Sequence, residues 1–422
     1  MVTLRNRLRV SIIAVVLLVC VACEKHQQAT VVEQIAWGPG QKWMVGDFHS
    51  HTKFSDGNLD VEEIAKLAAM EGCDILAITD HSDRGEQAAS QDYFDKIELA
   101  RAAIPRLLIL GGLEWNVPPY GGREHMNVLL HPEDERLLIE FKDQFEQDQS
   151  TSSSVSAAFG WLETRTTKPR HLVAIYNHPS RKAESLKARY ADLLKWRSES
   201  NIPIAFEGAP GHMNDLNLGS YRAKYKTVDH WDRLAADVPG VWDVLLQSGE
   251  NISAALASSD YHNKRLDKSP CQFSRTHLLV PERSYEGVLQ ALRAGSFWAS
   301  HGNFVNHLDF SVMADGLLIP AIPGEKIIVS KSQVLTVRLA LKRAQQFDQD
   351  KLELELIGDV INGKTDFIGR GSLVAGETEF TWQISPESNS RTNAYVRLRI
   401  RKIRDNLPDF MAYTNAIRFE FL

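Results

Sequence analysis

The sequence is poor in cysteine and has no excess of positive charge. Only four of the 422 residues are cysteine, too few for a disulfide framework, and two of these lie within the first 23 residues. The formal net charge is −6, the pI is near 6.2, and the aromatic residues do not cluster with lysine and arginine. These absences argue against a small disulfide-stapled fold and against a nucleic-acid-binding groove. Cys73 follows a helix-like run, so we interpret it as a small buried hydrophobic residue rather than a reactive thiol.

Long hydrophobic runs are also missing, apart from one near the N-terminus. Residues 10–22 are apolar and follow three arginines, a length that suits a signal peptide better than a membrane span. The run ends in Ala22-Cys23, which resembles a lipoprotein processing site, although Cys20 stands where leucine is usual. We therefore expect an exported periplasmic or cell-envelope protein that is lipidated on Cys23 and meets the membrane only through this leader. Ordinary signal cleavage and an uncleaved anchor are the alternatives.

The remaining length is comfortable for two domains with sizeable cores. Residues 24–41 are polar and read as a linker. In residues 42–304, predicted strands alternate with predicted helices. The strands are predicted at 74–79, 106–113, 125–130, 171–176, 203–207 and 251–257, and the helices at 58–72, 93–103, 133–149, 231–248 and 282–295. Residues 150–156 are interpreted as a serine-rich loop. This alternation predicts an α/β fold with a parallel sheet, and the number of repeats favours a barrel.

Residues 305–422 have a different pattern. Apolar and polar residues alternate along segments 334–342, 351–357, 380–384, 394–403 and 416–422, and turn residues separate them. Such short alternating strands predict an antiparallel β-sandwich, which we interpret as an accessory domain without a metal-ligand cluster. The chain has no internal repeat of fixed period.

Two histidines open the barrel-like region. His49 and His51 follow an apolar strand and are two residues apart, so their side chains should leave the strand on the same face. Asp56 follows in a turn-like stretch, where the chain can fold back. Nitrogen and oxygen donors that converge in this way suit a divalent metal, although a surface histidine pair beside a turn explains the motif equally well.

Further candidate ligands come at the ends of the predicted strands, where the chemistry of α/β barrels gathers. Each of these residues has a structural explanation when taken alone, such as a helix cap or a buried histidine bonded to the backbone. Together the donors are enough for two or three ions: His49, His51, Asp56, His81, Glu114, His125, His178, Asp260 and His262.

These motifs resemble those of the PHP (polymerase and histidinol phosphatase) superfamily. The resemblance covers roughly residues 43–300 and lies in His49-Ser-His51 with Asp56, Thr79-Asp80-His81, Glu114 with His125, Asn177-His178-Pro179 and Ser259-Asp260-Tyr261-His262. It implies a distorted (β/α)7 TIM-like barrel with two or three zinc, manganese or iron ions. It also implies one ion on His49, His51, Glu114 and Asp260, a second on Asp56, His81, Glu114 and His262, and a third on His125 and His178 with help from His81.

A narrower resemblance concerns residues 293–298 and 412–417. These segments are similar to an exported branch of the superfamily that has a C-terminal β-domain and includes carbamate-hydrolysing relatives. The resemblance therefore leaves the substrate class open between phosphoesters and carboxyl-type bonds.

We expect a metal-dependent hydrolase, and the favoured hypothesis is a phosphoesterase that acts on a small molecule through a bridging hydroxide. Asp260 would take and return a proton, with His262 beside it. Arg84, Arg123 and Arg181 are candidates to bind phosphate, Arg181 first, although each is as well explained as a surface arginine. The alternatives are ester, carbamate or amide hydrolysis on the same barrel, and a non-catalytic module that binds a cell-envelope partner.

Overall fold

The computed structural model describes residues 29–33, 41–83, 85–118, 125–146, 154–200, 202, 204–219, 221, 223–265 and 267–422. In these ranges the helices are α1 (Val61–Met70), α2 (Gln91–Ala103), α3 (Leu137–Phe145), α4 (Val155–Arg165), α5 (Leu186–Glu199), α6 (Arg233–Ala236), α7 (Val241–Gln247) and α8 (Tyr285–Ala294). The first nine strands are β1 (Thr30–Glu33), β2 (Lys42–Asp47), β3 (Ile75–Ile78), β4 (Leu108–Asn116), β5 (His125–Leu130), β6 (Leu172–Tyr176), β7 (Ile204–Phe206), β8 (Ser274–Val280) and β9 (Phe297–His301). The other strands are β10 (Val305–Met313), β11 (Lys326–Val329), β12 (Leu335–Arg343), β13 (Leu352–Gly358), β14 (Asp366–Leu373), β15 (Glu379–Ile384), β16 (Asn393–Lys402), β17 (Phe410–Thr414) and β18 (Ile417–Phe421). None of the helices in the described part of the chain combines the length and apolarity needed to cross a bilayer.

Helix α1 illustrates how local sequence sets the boundaries of an element. The backbone N–H of Asp60 donates to the Glu63 carboxylate at 2.8 Å, which satisfies a group that the first helical turn leaves open. The helix stops before Gly72, whose φ of +86° lies in the left-handed region that glycine tolerates. Strand β3, which follows, is buried along its whole length, as its continuous apolar run predicts.

The α/β part is built on the strand order β8-β2-β3-β4-β5-β6-β7. Strands β2, β3 and β4 are parallel neighbours, and so are β6 and β7. Strand β5 is antiparallel to both β4 and β6, and β8 is antiparallel to β2 and β9. The predicted α/β class is therefore confirmed, but the sheet is mixed rather than uniformly parallel.

The sheet does not close into a complete barrel by strand pairing. No ladder joins β7 to β8 among the described residues. The gap is filled by the segment around residues 252–257, where Phe206 N–H donates to the Ser253 carbonyl at 3.0 Å and Gly208 N–H to the Leu256 carbonyl at 2.9 Å. The strand predicted at 251–257 is thus wrong, because this segment forms isolated contacts instead of a ladder. A closed (β/α)7 barrel is not confirmed.

The C-terminal strands agree closely with the predicted period-two segments. Strands β12, β13, β15, β16 and β18 fall on the five predicted segments. Strands β10, β12 and β15 form a separate three-stranded antiparallel sheet. The pairing of β11 with β18 is parallel, so the region is not purely antiparallel.

The large sheet runs on from the α/β part into the C-terminal part. Strand β9 pairs with β8 on one side and with β17 on the other, so that Ser300 lies opposite Ala412. One hydrophobic core lies under the α/β strands and helices, and a second lies between the C-terminal strands. The domain division at residue 304 stays a prediction, since one continuous sheet passes through it.

Four sequence interpretations need correction. Within the predicted linker at 24–41, residues 30–33 form strand β1, which pairs with β11. Cys73 is buried, but it forms a disulfide with Cys271, which lies 198 residues further along the chain. The bond joins the end of α1 to the segment before β8. The predicted helix at 133–149 is shorter, and the helical region at 231–248 is split into α6 and α7, which Pro239 separates.

Candidate metal centre

The end of β2 carries the first two candidate ligands side by side. His49 and His51 are fully buried, and their Nε2 atoms lie 3.1 Å apart. The backbone holds them there, because Ser50 forms a parallel bridge with Tyr261 and His51 N–H donates to the Tyr261 carbonyl at 2.9 Å. The alternation of side chains along a strand therefore produces the pair that the sequence predicts.

The segment that follows residue 258 brings in Asp260 and His262. Asp260 Oδ1 lies 3.1 Å from His51 Nε2 and 3.2 Å from His49 Nε2. Asp260 has a φ of +47°, and a Cβ placed on Gly211 would lie only 2.0 Å from the Asp260 Cβ. Glycine at 211 is needed for this close approach.

Glu114 is the centre of the cluster. Its side chain is 1% exposed, and Oε1 has four nitrogen atoms within 3.2 Å: His49 Nε2 (3.1 Å), His125 Nδ1 (3.0 Å), His178 Nε2 (3.2 Å) and Asn177 Nδ2 (2.8 Å). A carboxylate oxygen has two lone pairs, so hydrogen bonds alone do not account for four such neighbours. A shared cation would account for them.

The other oxygen of Glu114 faces a second set of donors. Glu114 Oε2 lies 2.9 Å from His81 Nδ1 and 3.4 Å from His51 Nε2. Asp56 lies on the solvent side, with Oδ2 3.3 Å from His262 Nε2 and Oδ1 3.6 Å from His51 Nδ1. The structure therefore brings all nine predicted ligands together; their roles as ligands stay a prediction.

The donors form overlapping groups, each compact enough for one cation. The groups are His51, Asp56, His81 and His262; His49, Glu114 and His178; His49, His51 and Asp260; and His81, Glu114 and His125. The predicted third set placed His125 and His178 together without Glu114. In the structure, Glu114 belongs both to the group that contains His125 and to the group that contains His178. Imidazole and carboxylate donors of this kind suit zinc, manganese or iron.

Two buried atoms test whether a cation fits. Within the described part of the chain, His81 Nδ1 and Glu114 Oε2 lie 2.9 Å apart as an ion pair, but neither atom has a well-aligned hydrogen bond. Buried polar atoms without partners are costly, so this arrangement is expected where another group supplies the missing interaction. A divalent cation bound by both atoms would do so, and the residues therefore fit the metal.

Mutual electrostatics keep the carboxylates ionised. Burial alone would raise the pKa values of Glu114 and Asp260, but the surrounding imidazoles hold both well below their usual range. Burial would likewise lower the pKa of His49 and of His81, yet the nearby carboxylates raise the first well above its usual value and the second to about 9. The pKa of His51 falls to about 3, because burial and the neighbouring His262 and His81 disfavour its cation. The pocket is thus built to hold positive charge.

Two residues that contact the cluster, Glu207 and His212, were not predicted. Glu207 Oε1 lies 2.9 Å from His49 Nδ1, and its Oε2 accepts the His178 N–H at 2.8 Å. His212 joins Asp260 Oδ2 (3.0 Å from Nε2) to Asp267 Oδ1 (2.8 Å from Nδ1). Glu207 comes directly after β7, so the strand-end rule could have found it. His212 lies in a loop, and no local pattern marks it.

Two buried aspartates position the loops that carry the ligands. Asp47 accepts the backbone N–H groups of Ser259 at 3.0 Å and His49 at 3.2 Å, which ties the end of β2 to the Asp260 segment. Asp80 accepts the Thr52 N–H at 2.7 Å and the Ser55 hydroxyl at 2.6 Å, which holds the turn before Asp56. Burial raises the pKa values of both carboxyls to about 6 despite these hydrogen bonds.

Arg181 follows the His178 corner, where its N–H donates to the His178 carbonyl at 3.0 Å. Together with Lys182 and Lys224 it lines an open depression of about 700 Å³. The other predicted phosphate-binding residues, Arg84 and Arg123, and the predicted lipidation site, Cys23, lie outside the described residues.

Comparison with known proteins gives a family match over a region that holds seven of the nine candidate ligands. Residues 47–235 match the model of the PHP domain. The DNA polymerase/3'-5' exonuclease PolX of Bacillus subtilis is 24% identical over 184 residues, which are 40% of this chain and 30% of that protein. This chain therefore spans less than a third of the length of that relative.

Solved structures with similar folds have low identity. A two-domain protein from Bacteroides vulgatus, described as containing a predicted PHP-like metal-dependent phosphoesterase, is 14% identical with a TM-score of 0.42, covering 93% of this chain and 99% of that one. An amidohydrolase from Chromobacterium violaceum is 16% identical with a TM-score of 0.33, covering 53% of this chain and 89% of that one.

Proposed function

Because residues 47–235 match the model of the PHP domain, we propose that this protein is a metal-dependent hydrolase that cleaves phosphoesters at the nine-residue cluster. The observation that supports this proposal most is Glu114, a buried carboxylate whose two oxygens face separate sets of imidazoles. Such a bridging position is what a site for two or three ions needs. We interpret the incompletely closed sheet as a distorted barrel that carries this site.

The residues of the chain have separable tasks in this proposal. Divalent ions, when bound, would supply an activated water and neutralise charge that develops on a substrate oxygen. Glu114, His49 and His51 would hold the ions from the buried side, and Asp56 from the solvent side. Both ring nitrogens of His212 face carboxylates, so His212 can hold a proton at Nε2 beside Asp260 Oδ2. In this proposal, Asp260 takes a proton during the reaction and returns it afterwards.

The first prediction concerns metal dependence and the bond that is cut. Chelator-treated protein should be inactive, and reloading with zinc, manganese or iron should restore hydrolysis of p-nitrophenyl phosphate more than of p-nitrophenyl acetate or a p-nitrophenyl carbamate. His49→Ala and Asp260→Asn should lower turnover at least about a hundredfold while circular dichroism stays unchanged. His307→Ala, at an exposed histidine of β10, is the matched control.

Three outcomes would contradict this scheme. Full activity of the His49→Ala variant would show that the cluster is not the catalytic site. Faster cleavage of the carboxylic ester or carbamate than of the phosphoester would show that the enzyme hydrolyses carboxyl-type bonds instead of phosphoesters. Less than one bound ion per chain after metal loading would favour a non-catalytic module.

The second prediction concerns substrate charge. Arg181 lies three residues after the candidate ligand His178, and we propose that it binds an anionic substrate, since a guanidinium binds phosphate oxygens in a bidentate manner. Arg181→Ala should raise KM for p-nitrophenyl phosphate roughly tenfold and leave KM for the neutral ester unchanged. Lys66→Ala, on the exposed face of α1, should change neither value. An unchanged KM for the phosphoester in Arg181→Ala would exclude Arg181 from phosphate binding.

We also propose that the protein is exported and held in the cell envelope through Cys23. The disulfide between Cys73 and Cys271 supports this proposal, because such bonds persist in oxidising compartments and are rare in the cytosol.

A further inference from the structure

Exposed apolar side chains are concentrated at one end of the C-terminal sheet. Twelve large hydrophobic residues are exposed in the described part of the chain, and five of them surround strands β1 and β11. We call this group the apolar end: Val32, Leu318, Ile319, Val334 and Leu422. Leu318 is the most exposed, at 98%. A cluster of this kind on a folded protein marks a contact surface.

Hydrogen bonds join the segments that carry these residues. The Asp315 carbonyl, three residues before Leu318, accepts the Ala29 N–H at 3.2 Å and the Gln333 side-chain amide at 2.8 Å. Gln333 precedes Val334, and Leu422 N–H donates to the Val329 carbonyl at 3.1 Å. Val32 lies on β1, three residues after Ala29, and β1 pairs with β11.

The loop that carries Leu318 and Ile319 is fixed at its base. Val312 and Ala321 exchange two backbone hydrogen bonds of 2.8 Å, and Leu317 N–H donates to the Ala314 carbonyl at 3.1 Å. The apolar tip therefore projects from a pinned turn, and its exposure is a property of the fold.

The surface that these residues meet is inferred from the anchor proposed above, on which this inference rests. Ala29 is six positions after Cys23, the proposed lipid attachment site. Even a fully extended chain of six residues spans only about 20 Å, so the anchor keeps Ala29, and with it Asp315, close to the bilayer. An uncleaved leader ending at Ala22 would impose nearly the same limit.

We propose that the apolar end inserts into the surface of the membrane that holds the N-terminal anchor. Leu318 and Ile319 enter the boundary between headgroups and acyl chains, where apolar side chains of peripheral proteins are buried, and Val334 and Leu422 lie beside them. The anchor and the apolar end together fix the orientation of the molecule on the membrane, which a single flexible tether does not do.

The test uses the full chain in vesicles of phosphatidylethanolamine and phosphatidylglycerol. In the lipidated protein Cys20 is removed with the leader, Cys23 carries the lipid, and Cys73 and Cys271 are joined in a disulfide, so a cysteine introduced by Leu318→Cys or Val334→Cys can be labelled with an environment-sensitive dye. Leu99→Cys, on α2 with 63% exposure, is the matched control. A quencher confined to the lipid should quench the dye at positions 318 and 334 but not at 99.

A second variant tests the same surface independently. Leu318→Ser with Ile319→Ser should reduce the lipid quenching of the dye at position 334, with metal content and circular dichroism unchanged. Equal quenching at positions 318 and 99 would overturn the proposal. So would a dye at 318 that is shielded from water but not quenched by lipid, because a second copy of the chain would then cover the apolar end.

The anchor is tested separately by metabolic labelling with a fatty acid. Wild-type protein should be labelled, and Cys23→Ser should not. A wild type that carries no label and is released from the membrane would overturn the proposal, since nothing would then hold the apolar end at the bilayer.

Discussion

At the residue scale, Glu207 connects two candidate ligands that come from different strands. One of its oxygens faces His49 Nδ1 and the other accepts the His178 N–H, so it fixes both the ring of His49 and the corner of His178. A carboxylate in this position sets which nitrogen of the imidazole is free to bind a metal. Its contribution should therefore be visible in metal affinity.

We predict that Glu207→Gln lowers metal affinity about 10- to 100-fold, because a neutral amide orients and polarises His49 less strongly. Competition with a chromophoric chelator measures this change. Glu62→Gln, at an exposed residue of α1, is the control and should bind like the wild type. If Glu207→Gln binds metal as tightly as Glu62→Gln does, Glu207 does not position the ligands.

The nine candidate ligands could be predicted because each lies in or near a short motif at a strand end. Strand ends converge in an α/β fold, so residues far apart in sequence can be assigned to one place. His212 has no such marker: it lies in a loop, with a φ of +59°. Its contact with Asp260 depends on the close packing of Gly211, which only the three-dimensional structure shows.

At the scale of elements, the disulfide is the covalent link between α1 and the ligand-bearing segment. Cys271 N–H contacts Asp47 Oδ2 at 3.3 Å, and Asp47 also binds Ser259, next to Asp260. The bond thus supports both sides of the cluster. It could not be predicted, because four cysteines in a chain of this length do not specify a pairing.

Replacing both cysteines, Cys73→Ala with Cys271→Ala, should lower the free energy of unfolding by about 2–5 kcal/mol, because the unfolded chain loses a long closed loop. Urea unfolding followed by fluorescence measures this loss. Reductant should destabilise the wild type and leave the double variant unchanged. A wild type that is insensitive to reductant under unfolding conditions would contradict this role.

Helix α5 shows why some elements escape sequence patterns. Its buried face includes Arg189 and Asp192, whose side chains pair at 3.2 Å. A helix that buries a charged pair lacks the apolar stripe by which helices are recognised. The period-two strands of the C-terminal region posed no such difficulty, since alternate residues of each strand are apolar and pack into one core.

At the scale of the whole molecule, the two predicted domains share a sheet and a polar interface. Arg397 on β16 donates to the buried Asp243 of α7 at 2.8 Å. The Asn415 side chain accepts the N–H groups of Ala254 and Ala255 at 3.1 and 3.0 Å, and it donates to the Gly295 carbonyl at 3.1 Å. The α/β part is therefore completed by the residues after 304.

We predict that a chain ending at residue 304 does not fold on its own. Its β9 would lose the partner strand β17, and Asp243 would be left as a buried charge without its arginine. Expression, solubility and metal content compared with those of the full chain measure this. A soluble fragment that binds metal like the full chain would show that the domains are independent.

In the full-length chain, Asn415→Ala should destabilise the fold less than truncation at residue 304 does. Two buried backbone N–H groups lose their acceptor, at a cost of about 1–3 kcal/mol each, but the chain should remain folded and bind metal.

The continuous sheet also has a consequence for how the protein is made. A ribosome produces His51 early, and Asp260 emerges 209 residues later. Strand β17, which supports the ladder from β9 through β8 to β2, is among the last segments to be synthesised. A nascent chain thus presents imidazoles without the aspartate that completes their set, so we expect the full set of candidate ligands to assemble only in a nearly finished polypeptide.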